Sequence, residues 1–308
     1  MELSRHEIRE AYNLISPYVR RTPVIDVEPG TLGGTAVLLK LELMQVGGSF
    51  KARGAFTNLL TRPVPATGVA AASGGNHGVA VAYAANRLGI PAKIFVPTVS
   101  SPAKIARIRE LGADLVVTGD RYADAFSASQ LWAATSGALS VHAYDQRETI
   151  LGQATLGLEL GEQATAGLDT VLVPVGGGGL IAGVASHFTT DVTVIGVEPH
   201  GAPTLFSARE AGQIVDAATG SIAADALAPR QVGELVFPIT QKYVADVVLV
   251  SDDDIRTAQR ALWHALRLVT EPAAAVGVAA LLAGAYRPGR GERVGVVISG
   301  TNTDKLPD

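Results

Sequence analysis

Cysteine is absent from the 308-residue chain, which excludes disulfides, thiolate nucleophiles and cysteine-ligated metals and removes any need for an oxidising compartment. No apolar run reaches about 18 residues without Gly, Pro or a charge, so no membrane span is expected. The opening, MELSRHEIREAYNLI, mixes charges into a helical period where a secretory leader would be unbroken and apolar. The cytoplasm is the expected location. A massed charge of one sign is also missing, since the formal net charge is -4 and Lys and Arg are scattered. Nothing electrostatic therefore points to nucleic acid or another polyanion as partner. Solenoid-length repeats are absent, and low complexity is confined to short alanine runs such as Ala273 to Ala275, which read as helix.

What is present suits a soluble globular protein: 47% of residues are apolar and 18% charged. The length predicts one large α/β unit or two joined lobes. From Ser4 to Val19 apolar residues recur at helical spacing, with Ser4 and Glu7 ordered as a capping box and Pro17 near the end. Short runs rich in Val, Ile and Leu then alternate with Ala-rich helical stretches: AVLLKLE, GVAAAS, AKIFVP, DLVVTG, TVLVPV, TVIGVEP, DVVLV and RVGVVISG. That alternation predicts βαβ units, and the continuously apolar runs predict strands covered on both faces. Ligands in such folds sit beyond the carboxyl ends of strands.

Four clusters lie at those ends. Gly47 to Ala55, GGSFKARGA, is a glycine turn that presents Lys51 in the first turn of a helix. The positive end of the helix dipole disfavours an ammonium ion there, so a desolvated Lys51 would have a lowered pKa, as an imine-forming lysine needs. Ser73-Gly74-Gly75-Asn76-His77-Gly78 joins a strand to a helix. Its free N–H groups, with the Ser73 hydroxyl and the Asn76 amide, suit a carboxylate or phenolate oxygen, although Ser and Asn also cap helices ordinarily. Gly176 to Gly179 follow TVLVPV and offer bare backbone to a phosphate. Gly177, Gly179 and Ala182, with Glu198 about twenty residues on, also fit a loose dinucleotide fingerprint, a rival reading that leaves Lys51 unexplained. Ser299-Gly300-Thr301-Asn302 ends the last strand and could equally be ordinary turn chemistry.

Taken together, GGSFKARGA, SGGNHG, PVGGGGL and SGTN, with EPAAAVGVAA before the last, resemble the fold-type II pyridoxal-phosphate enzymes. Within these the likeness is to the serine/threonine dehydratase (threonine ammonia-lyase) and serine racemase group, over nearly the whole chain. The resemblance implies an α/β, two-lobed architecture like the tryptophan synthase β subunit, with open, mostly parallel twisted sheets. A large cofactor-binding domain would span 1–67 and 146–308, and a small mobile one 68–145. It implies pyridoxal 5'-phosphate bound as a Schiff base on Lys51, which also serves as base. Phe50 would pack on the ring, Asn76 would hydrogen-bond the phenolic oxygen, and Ser299 would face the pyridine nitrogen. Gly176, Gly177, Gly178, Gly179 and the Leu180 amide would cradle the phosphate. Ser73, Gly75, Asn76 and His77 would receive the substrate carboxylate. A neutral hydroxyl at the ring nitrogen makes a weaker electron sink than a carboxylate would, which favours prompt β-elimination. The implied reaction converts L-threonine or L-serine to a 2-oxo acid and ammonia; a dehydratase of another β-hydroxy amino acid, of the hydroxyaspartate or phenylserine type, or a serine racemase, are the alternatives. A homodimer is implied as well.

The chain departs from those relatives in three places. Racemases of the group carry a second serine in the asparagine loop where this chain has Gly74, so racemisation is expected to be poor. Their metal site uses a glutamate and a nearby aspartate; Glu198 matches the first, but Thr204 stands at the second, so no metal is expected and Glu198 should cap or pair with a neighbour. Arg121 lies roughly where some relatives contact substrate, yet the surrounding motif does not match, and a solvated surface arginine is the expectation.

Overall fold

The computed structural model describes residues 1–100, 102–227 and 229–303, with backbone only for 102–104. The chain begins with α1 (Arg5–Ile15), β1 (Val24–Val27), β2 (Val37–Leu41) and, after two 3-10 turns, α2 (Lys51–Thr61). There follow β3 (Val69–Ala72), α3 (Asn76–Leu88), β4 (Ala92–Val96), α4 (Pro102–Glu110), β5 (Asp114–Val117), α5 (Tyr122–Ser136) and β6 (Leu139–Ser140). Next come α6 (Arg147–Gln163), β7 (Thr170–Pro174), α7 (Gly179–Phe188), β8 (Thr193–Pro199), α8 (Thr204–Ala211), α9 (Ala224–Leu227) and α10 (Val236–Tyr243). The remainder is β9 (Val244–Val250), α11 (Asp252–Leu266), α12 (Pro272–Leu282) and β10 (Val294–Ile298).

The strands form two sheets, one of six in the order β1-β2-β10-β7-β8-β9 and one of four in the order β5-β4-β3-β6. Every pairing is parallel except that of β1 with β2. All eight apolar runs singled out in the sequence lie on strands. Two further strands, β1 and β6, carry too short or too mixed a pattern to stand out: β1 is VIDV, and β6 has only two residues. The first helix has the expected capping box, with the Glu7 N–H donating to Ser4 Oγ. It stops at Ile15 and not at Val19, because Pro17 lacks an N–H to continue the ladder.

Helices cover both faces of the larger sheet. On one side Ile150, Ala154, Ile181 and Val184 of α6 and α7 meet Val171 and Val173 of β7. On the other Ala274, Val278, Ile255 and Leu262 of α12 and α11 meet Leu39, Leu172 and Val296. The smaller sheet packs against α2 and α3 through Phe56, Val81, Ala85 and Ile94.

Helix α6 sits between α2 and α7 at unusually close range. A Cβ on Gly152 would lie 2.6 Å from the Gly54 Cα, and one on Gly183 would lie 2.6 Å from the Ala154 nitrogen. A side chain at either position would push apart the two helices whose N-termini carry Lys51 and the glycine loop. The same stack holds a buried ion cluster. The Arg53 guanidinium donates in forked fashion to Glu42 (Nε to Oε2 2.9 Å, Nη2 to Oε1 2.7 Å) and to Glu159 (Nη1 to Oε1 2.9 Å, Nη2 to Oε2 2.8 Å). Lys40 Nζ adds a bond to Glu159 at 2.7 Å, and all four side chains are fully buried. Two cations and two carboxylates balance, so the cluster ties strand β2, α2 and α6 together without a net buried charge.

Candidate active site

Three adjacent strands of the larger sheet deliver the principal residues at their carboxyl ends. β2 leads through the 3-10 turns to Lys51, β10 ends one residue before Ser299, and β7 runs into the glycine loop. The Phe50 N–H donates to the Ser299 carbonyl at 3.1 Å, and the Thr301 N–H donates to the Gly48 carbonyl at 3.0 Å, so the lysine turn and the SGTN turn are one hydrogen-bonded unit. The smaller sheet contributes the SGGNHG loop from the end of β3.

Lys51 is the first residue of α2 and donates from Nζ to the Ala143 carbonyl at 2.8 Å. Its ammonium stands 5.1 Å from the Phe50 ring centroid. Burial holds the amine down at about 8, against the opposing pull of the Glu271 carboxylate. The amine is thus far closer to its neutral, nucleophilic form at neutral pH than an exposed lysine.

The glycine loop is buried, and among the described residues no hydrogen bond takes up the backbone N–H groups of Gly176, Gly177, Gly178, Gly179 or Leu180. Such a row of buried donors at the start of α7 is costly unless an anion fills it. The glycines themselves answer to close packing: a Cβ on Gly177 would lie 2.4 Å from the Tyr144 ring, and one on Gly178, at φ +86°, 2.5 Å from Val236. Ser299 is 2% exposed, and its hydroxyl has no protein partner among the described residues. Orphaned N–H groups, an orphaned hydroxyl and a lysine of lowered pKa at one end of one sheet fit a phosphate-bearing aldehyde cofactor.

The SGGNHG loop differs in part from the roles the resemblance implies. The Asn76 amide group donates to both Glu271 oxygens, at 2.7 and 3.0 Å, while its carbonyl accepts from Asn302 at 2.7 Å. It therefore bridges the two sheets' loops, and its NH2 faces a carboxylate here. His77 is 5% exposed, with Nε2 2.9 Å from the Val141 carbonyl, and burial together with the Lys51 charge takes it down to about 3. Its side chain is a neutral donor to backbone, leaving the N–H at the start of α3 as its group for a carboxylate. The Gly75 N–H is already engaged by Ser73 Oγ at 3.1 Å, the local turn capping that serine and glycine favour.

At position 74 the space a side chain would need is taken: a Cβ there would lie 2.2 Å from Ser100 Oγ, a hydroxyl from a residue further along the chain that packs against this loop. Glu198 accepts the Leu205 and Phe206 N–H groups, each at 2.8 Å, and burial pushes it up to about 8 despite them. Thr204 donates instead to the Pro229 carbonyl at 2.9 Å. Glu198 is fully buried with an oxygen on each of two α8 N–H groups, out of reach of a ribose, which removes the acidic half of the dinucleotide reading. The Arg121 side chain is 82% exposed, 3.7 Å from Asp124, as expected of a solvated arginine.

Sequence reasoning missed Tyr144, His142, Tyr122 and Phe126, which line up beside Ala143. No motif flags them, because the rings come from a loop and a helix whose meeting only the fold determines. Two surface cavities, of about 370 and 360 Å³, lie at the opposite end of the larger sheet, lined by Val37, Leu168 and Val294 in one and Leu32, Gly34 and Tyr286 in the other. They carry none of these groups.

Residues 15–300 match the family described as pyridoxal-phosphate dependent enzyme. The chain is 44% identical over 298 residues to phenylserine dehydratase of Ralstonia pickettii, covering 94% of this chain and 90% of that one. It is 36% identical over 309 residues to L-threonine ammonia-lyase of Thermotoga maritima, covering 98% and 76%. Among solved structures, maize serine racemase superposes with a TM-score of 0.91 at 32% identity, covering 99% of this chain and 95% of that one.

Proposed function

Because the chain belongs to the pyridoxal-phosphate dependent enzymes, we propose that it removes water from a β-hydroxy amino acid, and that the released enamine takes up water again as it hydrolyses to a 2-oxo acid and ammonia. The observation that carries this reading is Lys51, an amine lowered to about 8 and held on the Ala143 carbonyl, at the same sheet end as a row of buried N–H donors with no acceptor among the described residues. Gly176, Gly177, Gly178, Gly179 and Leu180 would hold the phosphate, Lys51 the aldehyde carbon, and Ser299 the ring nitrogen. When bound, the cofactor supplies the electron sink for a proton lost at Cα.

The chain's own groups do the rest. Lys51 accepts the Cα proton, because desolvation keeps its amine available as a base. The N–H groups of Asn76 and His77 and the Ser73 hydroxyl orient the substrate carboxylate. Ser299, a neutral hydroxyl, leaves the ring nitrogen without a carboxylate partner, which favours expulsion of the β-hydroxyl over a long-lived carbanion. L-Threonine and L-serine are the simplest substrates for this chemistry. The segment 68–145 is proposed to close over them and exclude water, and a cytoplasmic homodimer completes the proposal.

The test compares wild type with Lys51→Ala after cofactor loading. We expect a band near roughly 410 nm in wild type alone, and 2-oxo acid released only by wild type from at least one β-hydroxy amino acid. A loaded wild type that shows the band yet releases 2-oxo acid from none of serine, threonine or phenylserine would overturn the proposal.

A further inference from the structure

Ala143, whose carbonyl holds Lys51, is flanked by two rings that begin a continuous aromatic file. Tyr144 lies on Gly177 of the glycine loop. His142 meets Tyr144 edge to face at 4.7 Å between centroids, Phe126 meets His142 edge to face at 5.6 Å, and Tyr122 stacks on Phe126 at 6.0 Å. The last two are at the start of α5, after strand β5 of the smaller sheet, whereas Tyr144 rests on the larger one. The file therefore spans the gap between the sheets, starting at the reactive amine. Aromatic residues make up only 5% of the chain, so three Phe or Tyr rings and an imidazole in register at this place call for an explanation.

The file is uncharged. His142 Nδ1 accepts the N–H groups of Tyr144 at 3.3 Å and Asp145 at 2.8 Å, so the ring proton is on Nε2, and burial lowers its pKa further. Tyr144 keeps its phenol proton, because burial and Asp145 both raise its pKa. The nearby cation of α5, Arg121, points to solvent. Asp145 stands just beyond Tyr144, its oxygens accepting the Glu234 and Leu235 N–H groups at 2.9 and 2.8 Å. An acidic β-substituent would meet that carboxylate, and among the described residues no Arg or Lys side chain hydrogen-bonds to the rings of the file. A methyl or hydrogen would leave ring faces uncovered. Tyr122, at the outer end of the file, is 45% exposed.

We propose that Tyr144, His142, Phe126 and Tyr122 form the side-chain subsite, and that it selects a β-hydroxy amino acid bearing an aryl group on Cβ. This deepens the dehydratase reading and rests on it. An aryl ring would add a further edge-to-face or stacked contact to the file, the geometry aromatic pairs prefer. Phe126 joins the file from the apolar cluster of Ala72, Phe95 and Ala125, against which it also packs, and it has neither a hydroxyl nor a ring nitrogen to hydrogen-bond elsewhere.

The experiment uses the cofactor-loaded protein and measures kcat/KM by 2-oxo acid release for L-threo-3-phenylserine, L-threonine and L-serine. Wild type is compared with Phe126→Ala and Phe126→Leu, and the cofactor absorbance of each variant reports that its site is intact. The expected result is a wild-type preference for phenylserine over L-serine of at least about tenfold, reduced about tenfold by Phe126→Ala and less by Phe126→Leu. Efficient turnover of serine or threonine with no preference for phenylserine, or a preference unchanged in Phe126→Ala, overturns the aryl subsite while leaving the dehydratase reading intact. Failure of all three substrates overturns the dehydratase reading itself.

Discussion

Lys51 shows what one residue's surroundings do to its chemistry. Its amine is lowered from 10.5 to about 8 by burial, so folding below pH 8 forces an ammonium ion into a place that resists it. A lysine depressed in the folded state costs stability in full below its folded pKa, and the cost fades as pH rises towards the unfolded value. In the cofactor-free protein, Lys51→Met is therefore expected to be more stable than wild type at pH 7, by roughly 1–3 kcal/mol after allowing for partial exposure. Paired urea titrations should show the gap closing between about pH 8 and pH 10.5. A gap that does not change with pH would mean that the amine is solvated. The lysine was legible in the sequence because a glycine turn and a helix start are local signals. So were Ser299 and the glycine loop, each one step past a strand. The engagement of Asn76 by Glu271 and the hydroxyl of Ser100 against Gly74 were not legible, since both are contacts between segments far apart in the chain.

Among the elements, α2 matters most, for it carries Lys51 at its first position and Arg53 two residues later on another side. Arg53 fixes the helix through two forked pairs, to Glu42 and Glu159, in the dry interior. Removing the guanidinium strands two carboxylates with only Lys40 to share. Arg53→Met is expected to cost about 3–5 kcal/mol of stability by urea unfolding. Arg53→Lys should recover only part, because an ammonium cannot make both forks. Strand positions in the larger sheet were readable from continuous apolar runs, whereas β1 escaped notice: its burial is partial, and its antiparallel pairing to β2 leaves no crossover helix to announce it. The end of α1 was overrun in the sequence pattern because apolar spacing continues through Pro17, where hydrogen bonding cannot.

On the scale of the whole molecule, the site is a joint product of both sheets, with Asn76 and Tyr144 meeting Glu271 and Gly177 across the gap. A ligand bound there should stabilise the fold as a unit. Added pyridoxal 5'-phosphate is expected to raise the melting temperature by a few degrees at about a hundredfold excess over its dissociation constant. Gly177→Ala, whose new methyl would strike the Tyr144 ring, should abolish that rise, and a rise that survives it would place the phosphate elsewhere. The parallel strands followed from the alternation of runs, and the two-lobed plan from the family resemblance. The aromatic file did not, as its members are recruited from α5 and the loop before α6 and have no periodicity in common.

The position of β10 has a consequence for how the protein is made. Among the described residues it follows the other nine strands in the chain, yet it lies between β2 and β7 in the interior of the six-stranded sheet. At roughly 5–20 residues per second, the β1–β2 hairpin must wait on the ribosome for at least several seconds before its permanent neighbour emerges. Until then β2 and β7 each present an open edge, the condition under which a nascent chain most needs a chaperone. Ser299 arrives with that same strand. A chain released before β10 would lack both that interior strand and the turn that locks Phe50 beside Lys51, so possession of the cofactor marks a chain that has been translated through β10.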